Sequence, residues 1–116
     1  METTVRFTVE LDIADGKFED VERITRIMAE CTMAEPGALG YDFFISADRK
    51  RCRLLETYAG TEAVLAHLKG PVVQELVPQL LSNARLTRFE VYGDPGDEAA
   101  KMLGGVGAEI HRRLHA

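Results

Sequence analysis

Between Thr4 and Ile13 the chain alternates polar and apolar residues without a break, with Val5, Phe7, Val9, Leu11 and Ile13 set against Thr4, Arg6, Thr8, Glu10 and Asp12. A period of two held this long predicts a strand with one buried face and one wetter face. Such a strand needs neighbours for its backbone and a second layer for its apolar side. The following segment can supply that layer. Asp15-Gly16 turns the chain, and Phe18, Val21, Ile24, Ile27, Met28 and Cys31 recur at three- and four-residue steps. This spacing predicts an amphipathic helix of about four turns, with Glu19, Asp20, Glu22, Arg23, Arg26 and Glu30 on its solvent face. Glu35-Pro36-Gly37 stops it, because proline cannot continue a helix and glycine suits the turn.

Two further strands, Leu39 to Ala47 and Arg51 to Tyr58, are expected around the charged loop Ala47-Asp48-Arg49-Lys50. Gly60 and Thr61 supply a turn and a helix N-cap, Glu62 to Lys69 are good helix formers, and Gly70-Pro71 ends them. Pro71 opens another helical piece through Val72, Val73, Leu76, Val77, Leu80 and Leu81, in which Pro78 predicts a kink or two short segments. Ala84 to Tyr92 alternates again. The order β-α-β-β-α-β is that of a ferredoxin-like α+β sandwich, with both helices on one face of an antiparallel sheet.

The other sheet face is then expected to carry Arg6, Thr8, Glu10, Asp42, Phe44, Arg53, Leu55, Leu86, Arg88, Glu90 and Tyr92. It is too apolar at Phe44, Leu55, Leu86 and Tyr92 to be left in water, which predicts a homodimer with Glu10, Arg53, Arg88 and Glu90 paired in the seam. Residues 1–93 form the ferredoxin-fold domain, and residues 94–116 a C-terminal extension after Gly93-Asp94-Pro95-Gly96. Ala99, Met102, Leu103, Val106, Ile110 and Leu114 lie on one stripe of an expected helix there. Gly104, Gly105 and Gly107 work against that helix, so the tail either bends or makes close backbone contacts.

Composition removes several functions. The net charge of -5, with scattered basic residues, lacks the footprint expected for nucleic acid or anionic lipid. No apolar run approaches the ~20 residues of a membrane span, and Met1-Glu2-Thr3-Thr4 passes straight into the first strand, so a cytoplasmic protein is expected. Cys31 and Cys52 read as free thiols. His111 and His115 stand four apart, but no third ligand has suitable spacing, and no metal is expected. Phosphate-loop and nucleophile-elbow signatures are missing.

The polar groups that could carry chemistry converge elsewhere. Leu54, Glu56 and Tyr58 share one face of their strand, and His67, two turns along the next helix, can fold back over it. His67 is the candidate base, since an imidazole titrates near neutral pH and a carboxylate such as Glu56 can tune it. Glu56 is a second catalytic candidate, or the group that orients His67; the structural alternatives are a surface-helix or hydrogen-bonded core histidine and a glutamate that satisfies a backbone group. Tyr58, Tyr41, Phe43 and Phe7 are candidate binding residues for an aromatic ring, although half-buried aromatics are also ordinary sheet residues.

Asp15-Gly16-Lys17-Phe18, Glu35-Pro36-Gly37-Ala38-Leu39-Gly40-Tyr41, Leu55-Glu56-Thr57-Tyr58, Thr61-Glu62-Ala63 and Ala66-His67-Leu68, in this order, resemble the antibiotic biosynthesis monooxygenase domain family, including quinol monooxygenases. The resemblance runs from Val5 to Tyr92. It implies a dimeric α+β barrel with a substrate cavity between sheet and helices and, in members that are enzymes, oxygenation of electron-rich aromatics without a cofactor. Members often carry tryptophan where this chain has Tyr58. The related haem-degrading branch uses a histidine on the helix after the Pro71 position and an asparagine on the first strand; Leu76 and Val77, and a strand without asparagine, argue against that activity. The expectation is a monooxygenase acting on a quinol or polyketide-like phenol. Its alternatives are a non-catalytic binding dimer and an isomerase or lyase of the same superfamily.

Overall fold

The computed structural model describes residues 3–115; Met1 and Glu2, which opened the leader-free reading, and Ala116 lie outside the described residues. Strands β1 (Val5–Ile13), β2 (Ala38–Ile45), β3 (Arg51–Tyr58) and β4 (Ala84–Tyr92) and helices α1 (Phe18–Met33) and α2 (Thr61–Lys69) give the expected β-α-β-β-α-β order. The tail adds helix α4 (Asp97–Gly105) and a short strand β5 (Glu109–His111). Sheet order is β2-β3-β1-β4-β5, antiparallel except for the parallel β4–β5 pair. The mixed α+β, ferredoxin-like architecture is therefore as the sequence predicts.

The apolar side of β1 is buried along its whole length, from Val5 and Phe7 to Leu11. Helix α1 covers the β2 end of this layer, and α2 with α4 covers the end holding Val5, Phe7 and Tyr58. The inward stripe of α1 differs from the predicted one. Val21, Ile24, Thr25, Met28 and Thr32 are buried, whereas Ile27 and Cys31 are exposed. Thr25 turns its hydroxyl back to the Val21 carbonyl at 2.7 Å, so its methyl can face the core without an unpaired polar group.

A second difference lies in β4. A register shift between Glu10 and Leu11 makes Glu10 pair with Arg88 but Leu11 with Leu86. One extra residue reverses the in-out parity below the bulge. Leu86 therefore packs on the core with Phe89, and the outer face retains Phe44, Leu55 and Tyr92, which are 54%, 47% and 39% exposed. On that face Arg53 and Arg88 approach Glu10 to 2.6 and 4.0 Å, and Arg88 meets Glu90 at 3.1 Å.

Pro78 acts upstream of the place where a kink was expected. It has no N–H for the Gln74 carbonyl, and the preceding turn widens into a π-helix over Val72–Leu76, closed by the Val77 N–H on the Val72 carbonyl. The regular helix α3 (Val77–Leu81) resumes after it. The N-cap of α2 is Gly60, with Thr61 as its first helical residue and no side-chain capping bond.

The extension is helical only to Gly105. Gly107, at φ 83°, turns the chain, and β5 runs beside β4; Ala99 and Leu103 of α4 are buried, while Val106 and Leu114 stay exposed. The predicted stripe therefore stops at Leu103, with Ile110 returning to the core from the strand. Among the described residues no helix is long and apolar enough to cross a membrane.

Candidate active site

Three segments with different reasons to be where they are build the site. On β3, alternation turns Leu54, Glu56 and Tyr58 inward, although glutamate is among the residues least often buried. On α2, His67 lies on the stripe with Val64 and Leu68 and is 2% exposed. The loop after α1 is held against α2 by Gly37, whose φ of 82° suits glycine. A Cβ there would lie 2.7 Å from the Ala63 Cβ, so a side chain would push loop and helix apart. This close approach brings Glu35 to His67.

Both carboxylate oxygens of Glu35 lie near His67 Nδ1, at 2.9 and 3.2 Å. The other ring nitrogen, Nε2, is 3.6 Å from Glu56 Oε1, beyond a good hydrogen bond. Tyr58 donates its hydroxyl to that same Glu56 oxygen at 2.5 Å. The imidazole is held between the rings of Tyr58 and Tyr41, with centroids at 5.1 and 5.7 Å. Thr32 is fully buried, with its side chain beside Tyr41.

Burial dominates the electrostatics. It pushes the Glu56 carboxyl up to about 8, helped by the nearby Glu35 charge and opposed by the Tyr58 hydrogen bond. It pushes His67 down from the ordinary imidazole value, against the pull of Glu35. Tyr41 and Tyr58 are raised by burial and by the Glu56 charge, and stay phenolic. Near neutral pH burial thus favours an uncharged imidazole beside an uncharged carboxylic acid, a base and an acid pushed in opposite directions by their surroundings.

These groups border an apolar cavity of about 230 Å³ between sheet and helices. Phe7, Leu11, Leu54, Val73, Leu86 and Phe89 supply much of its wall, while Tyr41, Glu56, His67 and Gln74 are its polar side chains. Of the candidate residues, Phe7, Tyr41, Glu56 and His67 line this space. Tyr58 stands behind Glu56, and Phe43 faces a separate, more open depression near Phe18 and Cys52, edge-on to Tyr41 at 5.4 Å. The carboxylate within hydrogen-bond reach of His67 is Glu35, while Glu56 stays at 3.6 Å. The only sequence signal for Glu35 was its place in the Glu35-Pro36-Gly37 stop; Thr32 could have been found as the fourth residue after Met28 on the buried stripe.

The two tail histidines do not form a helical pair. His111 is on β5, stacked on Tyr92 with its Nε2 2.6 Å from Glu109 and 3.9 Å from Glu90, and His115 follows outside any helix. Ligand atoms of Glu90, Glu109 and His111 lie within 4.8 Å of one another, but Arg88 already holds Glu90 at 3.1 Å.

Known structures share this frame. MupZ from Pseudomonas fluorescens superposes with a TM-score of 0.84 at 22% identity, over 98% of this chain and 93% of its own, so the α4–β5 tail belongs to the shared fold. A candidate antibiotic biosynthesis monooxygenase from Nitrosomonas europaea gives 0.72 at 22% identity over 81% and 92% of the two chains. Rv0793 from Mycobacterium tuberculosis gives 0.69 at 22% identity over 82% and 98%. At such identities the likeness is one of fold. No curated protein matches the chain in sequence. The sequence profile described as antibiotic biosynthesis monooxygenase matches residues 4–79, and with the order of strands and helices around the cavity this places the chain in the antibiotic biosynthesis monooxygenase family.

Proposed function

We propose that this protein is a cofactor-independent monooxygenase that oxidises a small, uncharged, electron-rich phenol or quinol with O2. The observation that carries the reading is the apolar cavity onto which the buried side chains of His67 and Glu56 open, burial favouring the uncharged form of each. An engineered cavity of ~150 Å³ takes up benzene, so about 230 Å³ suits one substituted ring or a compact pair of fused rings. No lysine or arginine among the described residues lines it, which disfavours substrates with a carboxylate or phosphate.

The chemistry follows from these groups. His67 Nε2 takes the hydroxyl proton of the substrate, giving a phenolate that the apolar wall leaves poorly solvated and electron-rich. The phenolate passes one electron to O2, and the resulting phenoxyl radical and superoxide combine at an unsubstituted ring carbon para to the oxygen, forming a C–O bond. The C–H proton there passes to the terminal peroxide oxygen as the C–H electron pair forms the carbonyl and the O–O bond breaks, leaving a quinone and hydroxide. The imidazolium returns its proton to the hydroxide as water. Glu56, protonated, can donate a hydrogen bond to the developing oxyanion.

The same reading includes a homodimer through the outer sheet face, supported by exposed Phe44, Leu55 and Tyr92 and by family members being typically dimeric. A thermal-shift screen of neutral phenols and quinols, followed by oxygen-uptake assays on the compounds that stabilise the protein, tests the function. Uptake with one product per O2 is expected. Compounds that bind without consuming oxygen or being converted would leave a binding protein.

A further inference from the structure

We propose that Glu35 is a positioning residue that fixes His67 as its Nδ1–H tautomer and so presents Nε2, with a free lone pair, to the cavity. A neutral imidazole has one proton for two nitrogens, and the hydrogen bond made by one decides the state of the other. A carboxylate has only acceptors, and Glu35 sets both oxygens against Nδ1 at 2.9 and 3.2 Å, so the proton must sit there. Nε2 is left on the side of Glu56 and the cavity wall, at 3.6 Å from Glu56 Oε1.

The titratable groups facing the ring are Glu35 from the loop after α1, Tyr41 from β2, and Glu56 and Tyr58 from β3. Glu56 cannot do the orienting, because burial keeps it protonated and Tyr58 already donates to its Oε1. The Glu35 side chain is 20% exposed, while the ring it contacts is closed off from solvent. Gly37 enforces the arrangement through its contact with Ala63 on the helix that carries His67. The role matches that of the carboxylate in a hydrolase triad, where loss of the acid with geometry intact leaves the wrong tautomer.

Its catalytic consequence rests on the monooxygenase reading, but the tautomer does not. Long-range proton–nitrogen NMR on protein labelled with 15N-histidine reads both ring nitrogens directly. The chain has three histidines, so a His67→Gln sample assigns the signals. At pH 7.5 the wild type should show a protonated Nδ1 and a bare Nε2, and Glu35→Leu should show the proton moved to Nε2. A wild-type ring that carries its proton on Nε2, or on both nitrogens, overturns the proposal, as does Glu35→Leu with an unchanged Nδ1–H signal. With a substrate in hand, Glu35→Leu should lower kcat by ~100-fold or more with KM little changed, and should move the acid limb of the pH profile to lower pH, since the carboxylate that raises the imidazole is gone. Unchanged kcat and an unmoved limb would also refute it. If no phenol is turned over by the wild type, the functional reading fails while the NMR result still decides the dyad.

Discussion

Replacing Glu56 with Gln should flatten the pH dependence of stability, and the size of the effect follows from burial. The folded carboxyl titrates at about 8 against an ordinary value of 4.5. A raised acid binds its proton more tightly in the folded state, so its contribution is fully present below about 4.5 and is lost as pH rises towards 8. Between pH 5 and pH 8 most of this contribution is lost, on the order of several kcal/mol at 1.36 kcal/mol per pH unit. That is a large part of a typical stability of ~5–15 kcal/mol. Gln keeps an oxygen for the Tyr58 hydroxyl but has no proton to lose. His67 works in the opposite sense: its lowered value removes stability as pH falls below the ordinary imidazole range, in both proteins. Urea unfolding of wild type and Glu56→Gln at pH 5 and pH 8, with unchanged m-values, isolates the carboxyl. The wild type should lose several kcal/mol relative to the variant between the two values. Parallel stabilities would refute the claim that Glu56 is buried as a neutral acid.

His67→Ala should lower turnover by ~100-fold or more with ligand affinity nearly intact, measured by steady-state kinetics on any compound that consumes oxygen; unchanged turnover would remove His67 as the base. Leu55→Glu should break the proposed dimer, because a carboxylate closed into an apolar seam costs several kcal/mol; sedimentation at micromolar concentration should show the 12.9 kDa monomer for the variant and twice that mass for the wild type, and a monomeric wild type would remove the dimer. Leu103→Ala should destabilise by ~2–5 kcal/mol and expose the tail to limited proteolysis, since Leu103 is buried in the core beside Val64 and Phe7.

Much of the frame is legible from periodicity. The alternation from Val5 to Ile13 places the central strand, and the Pro and Gly stops divide the rest. What escapes the sequence is decided by neighbours. Leu86 belongs with the core only because a bulge shifts the register of β4, and no residue type announces a bulge there. Thr25 and Thr32 take inward positions that Ile27 and Cys31 seemed made for on hydropathy, since helix rotation is set by what it packs against. Strand β5 has three residues, too few to show a period. At the site, Glu56 and His67 are found by alternation and by reach across one turn. Glu35 is not, because it is 32 residues away in sequence and is delivered by the contact of Gly37 with Ala63.

In the proposed reaction the cavity directs O2 onto the ring of a phenol without help from a cofactor. Turnover of an active phenol by chelator-treated protein under 18O2, with the product read promptly by mass spectrometry, tests it most directly. One 18O atom is expected in each quinone formed, with the second leaving as labelled water. A product that contains no 18O, whether an isomer, a cleavage product or a quinone oxygenated from solvent, would contradict it.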